Sequence, residues 1–252
     1  MHSTFVRIQN VFGLFTSVAF AVAAAIAFSV ILSPQSPEAK LELRNVQVVK
    51  GRPHYYSTKR EEYANVRFDL DADLSTLFNW NTKQIFLYIT ASYPSPSSTS
   101  DTTTAPDSEA IIWDAIIPSL SAPWHQNTYI HPTSKPPTSQ KKRAALKSLS
   151  SAFPAGTQPG IVRLKDQKPK YQITDISGKI AEVGNATLTL KWNVQPWVGA
   201  LVWSNKVKVG RWEGFKGGVS KTFGFPMVKG TEVKKEDVGT AVGGERNRGS
   251  PA

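Results

Sequence analysis

The sequence predicts an all-β protein, an antiparallel β-sandwich-like domain, carried behind one N-terminal transmembrane helix. Three observations predict it. A single unbroken apolar run near the start is long enough to cross a bilayer. Beyond it, short segments alternate apolar and polar side chains with a period of two, separated by Pro, Gly, Asn and Ser. No long amphipathic helical pattern occurs outside the apolar run.

The run is residues 11–32, VFGLFTSVAFAVAAAIAFSVIL, with Thr16, Ser17 and Ser29 as its only polar side chains. As a helix it is roughly 33 Å long, enough for the hydrocarbon core. A cleaved signal peptide carries a shorter apolar stretch, about 7–15 residues, followed by a small-residue site. Here the candidate site Ala25-Ile26-Ala27 falls inside the run, which favours a retained anchor. Arg7 precedes the span, while Lys40, Arg44 and Lys50 come after it. A strict positive-inside count therefore leans against export of the C-terminal part, although large domains cross regardless of such charges.

The expected organisation is a short N-terminal segment (1–10), the span (11–32), a β-domain (33–228) and a charged, Gly-rich, disordered tail (229–252). Within the β-domain, LELRNVQVV alternates Leu41 and Leu43 and then, after a shift, Val46 and Val48. NVRFDLDAD sets Val66, Phe68 and Leu70 on one face against Arg67, Asp69 and Asp71. KQIFLYITASY is apolar on both faces, so both are expected to be covered. EAIIWDAII, YQITDI, ATLTLKWNV, ALVWSNKVKV and VSKTFGFPMV supply the remaining candidate strands. Two insertions interrupt the pattern: a Ser/Thr/Pro-rich loop at about 94–108, and a basic, proline-punctuated stretch at about 118–159 with a helix-compatible patch at 141–149.

Composition excludes several functions. The chain has no cysteine, so disulfides, thiol catalysis and cysteine-ligated metals are ruled out. A net charge of +11 raises nucleic acid as a partner. However, Lys135, Lys141, Lys142, Arg143, Lys147, Arg163 and Lys165 concentrate the excess in the insertion and just after it, and no nucleic-acid-binding motif accompanies them. No nucleic-acid partner is expected.

Catalytic patterns are equally sparse. No Gly-x-Ser-x-Gly occurs, and His2, His54, His125 and His131 form no metal-binding pair, so no catalytic, cofactor-binding or metal site is expected. Asp69, Asp71 and Asp73 share one strand face, as a pair of hydrolase carboxylates would. The plainer account is a solvated face, with Asp73 capping the turn next to it. Asn185-Ala186-Thr187 is the chain's one Asn-x-Ser/Thr sequon, making Asn185 a candidate glycosylation site, or simply a residue opening a strand after Gly184.

Residues 73–89, DLSTLFNWNTKQIFLYI, change period twice. Asp73 suits an N-cap, and Leu74, Leu77 and Phe78 suit one apolar helical turn. Asn79 and Asn81 suit its exit, with Trp80 between them as a candidate partner contact. The segment thus reads as strand, one-turn plug, strand. The longer stretch FDLDADLSTLFNWNTKQIFLYITASY resembles the signal peptidase complex subunit 3 family. Ile112-Trp113-Asp114, the run from Asn185 to Leu190 with Trp192-Asn193-Val194, and GGVSKTFGFP resemble further segments of that family, in matching order. The two insertions and the tail depart from the family pattern.

The resemblance implies a single-pass, accessory subunit of the endoplasmic reticulum complex that removes signal peptides. Its N-terminus would be cytosolic, its β-domain lumenal, and its partners the catalytic subunit and the other small membrane subunits, with nascent signal peptides contacted indirectly. Serine-type chemistry would reside on another subunit, with no cofactor here. Residue patterning alone leaves a generic single-pass lumenal or cell-surface binding module, or an anchored hydrolase using the aspartates, as alternatives.

Overall fold

The computed structural model describes residues 3–94, 107–122, 128–129, 159–204 and 216–229. Most of both insertions, the patch at 141–149 and the tail beyond Lys229 lie outside the described residues.

Helix α1 (Thr4–Ser29) continues as a short 3-10 turn, Val30–Leu32. It begins seven residues before the apolar run, and its 26 residues extend about 39 Å. No residue of α1 is buried by the rest of the chain. Apolar on all sides and uncovered by the rest of the described chain, the segment is long and apolar enough to cross a membrane. Within the apolar run of residues 11–32 the polar side chains are satisfied by the helix itself: the Thr16 and Ser17 hydroxyls donate to the Gly13 carbonyl, each at 2.9 Å, and Ser29 donates to Ile26 O at 2.7 Å. That removes the cost of carrying hydroxyls into hydrocarbon.

Among the described residues, eight strands come after the helix: β1 (Glu38–Gly51), β2 (Glu61–Asp73), β3 (Thr82–Tyr93), β4 (Ser108–Pro118), β5 (Ile161–Gln167), β6 (Thr187–Pro196), β7 (Val202–Trp203) and β8 (Lys216–Gly217). They form two four-stranded sheets, ordered β5-β2-β1-β8 and β4-β3-β6-β7. All named pairings are antiparallel except β1 with β8. The shift expected after Leu43 is a bulge between Leu43 and Asn45, which returns Val46 and Val48 to the inner face.

The core lies between the sheets. Val66, Phe68 and Leu70 of β2 face Ile85, Leu87 and Ile89 of β3 across a buried layer, joined by Leu188 and Leu190 of β6 and by Ile112 and Ile117 of β4. Phe68 and Trp113 meet edge to face, with ring centroids 5.9 Å apart, as do Tyr93 and Phe225 at 5.7 Å. On the outer face of β3, Phe86 and Tyr88 are only half-buried and stack on each other at 5.4 Å, so cover there is partial.

The segment after β8 joins the sheets. Gly218 N donates to Ala39 O on β1, while Leu190 N of β6 donates to Gly218 O. Gly217 has φ +77°, and a Cβ there would lie 2.1 Å from Ala39 O, so only glycine allows this approach.

Three local expectations are refined. β5 lies in a stretch not expected to be a strand; it is an edge strand, with Val162 buried and Arg163, Lys165 and Asp166 turned outward. YQITDI forms only the bridge Ile173 to Ala64, because Asp175 accepts from Ser177 N and Oγ (2.9 and 2.6 Å) and turns the chain. VSKTFGFPMV is not one strand. It bridges Val219 to Thr189, Phe223 to Ala186 and Val228 to Val48, crossing from one sheet to the other.

Candidate functional site

The three aspartates singled out in the sequence are each occupied structurally. Asp69 accepts from the backbone N–H of Asp166 at 2.7 Å and from Arg44 Nε at 2.5 Å. These contacts hold its carboxyl below the usual carboxylate range, the backbone donor first and Arg44 after it. Asp71 faces Arg163 Nε at 3.4 Å. Asp73 takes the Ser75 N–H (3.0 Å) and hydroxyl (2.6 Å), holding the chain as it leaves β2. Asp69 is thus held in the ionised form, the opposite of a poised general acid. Among the described residues no group of three His, Asp or Glu is placed to hold a metal ion.

The anticipated plug is present as a 3-10 turn, Ser75–Leu77, preceded by Leu74 in the capping position. Leu74 and Leu77 are fully buried, and Phe78 packs against the core from its margin. The turn stays short because the Thr82 hydroxyl, at the first residue of β3, donates to Leu77 O at 2.8 Å and closes it.

Trp80 is next, largely exposed, between half-buried Asn79 and buried Asn81. Asn81 is a clamp. Its Nδ2 donates to Val198 O (2.7 Å), its Oδ1 accepts from Val198 N (3.1 Å), and its own carbonyl accepts from Trp197 N (2.8 Å). It ties the exit of the plug to the loop after β6.

That loop meets the membrane helix. Gly199 has φ +119°, and a Cβ built there would sit 3.1 Å from the Ala27 Cβ. Ala27, Val30 and Ile31 of the helix line a cleft of about 240 Å³ with Asn79, Thr82, Val194, Pro196 and Val202 of the sandwich. Ser36 N donates to the Thr76 hydroxyl at 3.2 Å, fastening the linker to the plug. The helix end is therefore seated on one end of the sandwich as well as joined to it by a linker. Lys83 Nζ lies 5.2 Å from the Trp197 ring centroid, a cation–π contact beside this junction.

Asn185 is exposed, with φ 57°, just before β6. The far end of β6, at Pro196, lines the helix cleft, so its ten residues place Asn185 roughly 30 Å from that cleft. Trp80 and Asn185 therefore mark opposite ends of the domain. The clamp, the Gly199–Ala27 approach and the Lys83–Trp197 cation–π contact have no counterpart among the sequence expectations. Their partners lie far apart in sequence, and the one local signal was Gly199 closing a Pro-Trp-Val-Gly turn.

Together these features define a class: a β-sandwich seated on an N-terminal apolar helix long enough to cross a membrane, the one such helix among the described residues, organised around a junction. The chain belongs to the signal peptidase subunit family, whose sequence pattern matches residues 1–131 and 156–212. The gap in that match falls within the basic insertion. The chain is 31% identical over 216 residues to signal peptidase complex subunit 3 of Yarrowia lipolytica, covering 81% of this chain and 92% of that one. It is 33% identical over 144 residues to the protein of that name from Debaryomyces hansenii, covering 57% of this chain and about half (53%) of the relative. The human protein of that name is 24% identical over 201 residues, covering 80% of this chain and 87% of that one.

Proposed function

We propose that this chain is a non-catalytic subunit of the endoplasmic reticulum signal peptidase complex. In this reading α1 is a signal-anchor with a cytosolic N-terminus, and the sandwich stands in the lumen. There it packs beside the catalytic subunit and fixes that subunit's height and orientation over the membrane. Signal peptides are met indirectly, as they leave the bilayer beside the helix.

The observation that carries this reading is the seating of the helix end on the sandwich through Gly199, Ala27 and the Asn81 clamp. A domain that positions another subunit must itself be fixed to the membrane element, and a five-residue linker alone would let it swing. Family membership supplies the complex. Asn185, exposed at the end remote from the helix, is the glycan acceptor in this topology.

The test is purification of the tagged full chain from gently solubilised membranes. Co-purification of a signal peptidase catalytic subunit is expected, and its absence would remove the proposal. A glycosidase-sensitive mobility shift, lost in Asn185→Gln, checks the lumenal placement separately.

A further inference from the structure

The membrane-side corner of the second sheet is a surface built for a particular solvent. Its exposed side chains are Trp80 (65% exposed), Trp197 (49%), Leu120 (72%) and Leu201 (51%), with Trp203 (55%) on the flank. The other two described tryptophans, Trp113 and Trp192, are core residues. Every exposed tryptophan among the described residues is thus at one end of the domain. Segments 74–84, 118–122 and 194–204, which make this corner, contain no acid and one base, Lys83. Leu120 belongs to it because Ser119 N donates to Lys83 O and brings the turn after β4 beside the Trp197 loop.

Position fixes what this surface meets. Gly199 approaches Ala27, five residues before the end of the apolar run at Leu32, which is about 7.5 Å deeper along the helix axis. The loop carrying Trp197 and Leu201 therefore reaches the depth of the helix's last turns. An irregular loop at that depth needs its backbone groups paired, and Asn81 does this for Trp197 and Val198. Ile31 and Leu32, exposed on the adjoining helix end, continue the apolar surface into the span.

We infer that this corner rests in the interfacial layer of the bilayer, forming a second membrane attachment besides α1. Trp80 and Trp197 lie at headgroup level with their ring N–H groups toward water, and Leu120 and Leu201 point toward the acyl chains. Lys83 reaches lipid phosphates from above the Trp197 ring. Two attachments, helix and corner, remove the freedom of the sandwich to rotate about the helix axis. Trp80, expected from sequence to meet a protein partner, is thereby assigned to lipid. The inference needs only that α1 crosses a bilayer and does not depend on the complex proposed above.

The chain has no native cysteine, so single-cysteine labelling is unambiguous. Spin labels at Trp80→Cys, Leu120→Cys and Leu201→Cys, in the full chain within phosphatidylcholine nanodiscs, are compared with Tyr56→Cys in the exposed β1–β2 loop. Collision rates with oxygen, which partitions into lipid, and with a water-soluble nickel chelate are measured at each site. The oxygen-to-nickel ratio at the three corner sites is expected to exceed that at position 56 several-fold. A ratio equal to that at position 56 overturns the inference. So does shielding of the corner labels from both reagents, the signature of a protein surface or a second copy covering them. Since all four sites are exposed, labelling leaves the fold intact, and an unchanged thermal unfolding midpoint verifies this for each variant.

Discussion

At the membrane side of the sandwich, the three segments around Trp80, Leu120 and Trp197 carry one charged residue, Lys83. At the opposite end, residues 52–60 between β1 and β2 hold Arg52, His54, Lys59 and Arg60 with no acid, and expose Tyr55 and Tyr56 almost fully. Both ends close the same core. One meets it with buried Leu74 and Leu77 and an inward-facing asparagine, the other with Tyr93 packed on Phe225. The core sets the fold, while each end is free to match its surroundings: water at the β1–β2 loop and, by the inference above, the lipid interface at the other end.

Ends that share one core should be felt by the whole domain when either is weakened. Leu77→Ala at the membrane end and Phe225→Ala at the far end should each lower stability by about 2–5 kcal/mol. Both should do so within one cooperative transition, read by denaturant unfolding of the detergent-solubilised chain. Two separate transitions would show that the ends unfold independently.

Gly199→Val probes the seating of the helix. It places a β-branched residue at φ +119° against Ala27 and should cost about 1–3 kcal/mol. The distance distribution between labels on α1 and on β6 should broaden, while a label at Tyr56→Cys in the far β1–β2 loop should report an unchanged environment. Asn81→Ala leaves the Val198 N–H and C=O without their side-chain partners and should cost about 1–3 kcal/mol. Its effect should be larger than that of Asn65→Ala, whose side chain lines a surface groove.

Asp69 gives a smaller, pH-dependent effect. Its folded carboxyl titrates below its unfolded value of about 3.9. The stabilisation is therefore fully present above that value and lost as pH falls through the lower folded one. Asp69→Asn should flatten the acid limb of the stability curve below about pH 4 and leave neutral pH behaviour of the helix junction unchanged. Smallest of all, Trp80→Ala in detergent should alter stability by less than about 0.5 kcal/mol, since the side chain is exposed. Its consequence belongs to the bilayer.

Where the sequence declared the architecture, it did so through uninterrupted alternation. Val66, Phe68 and Leu70, or Leu188, Leu190, Trp192 and Val194, face inward as their period requires. β5 escaped because Arg163, Lys165 and Asp166 crowd a seven-residue edge strand and mask a weak alternation. YQITDI looked like a strand because nothing in its apolar pattern reveals that Asp175 turns the chain. The plug was legible as an apolar turn, but its 3-10 geometry depends on Thr82, which ends it from β3. The junction was the least legible part. Asn81 and Val198 are 117 residues apart, and Ala27 is one of many small residues in the span. Trp80 was noticed for its size, and its neighbours in space come from two other loops. Family resemblance reached the complex by a route that the residues' own chemistry does not provide.

On the reading proposed above, the seated sandwich serves signal-peptide removal, which is checked in cells that encode this chain by depleting it and measuring the fraction of a secretory precursor that keeps its signal peptide. Uncleaved precursor should accumulate, the wild-type chain should restore cleavage, and Gly199→Val should restore it only in part. Unchanged cleavage after depletion would contradict that reading.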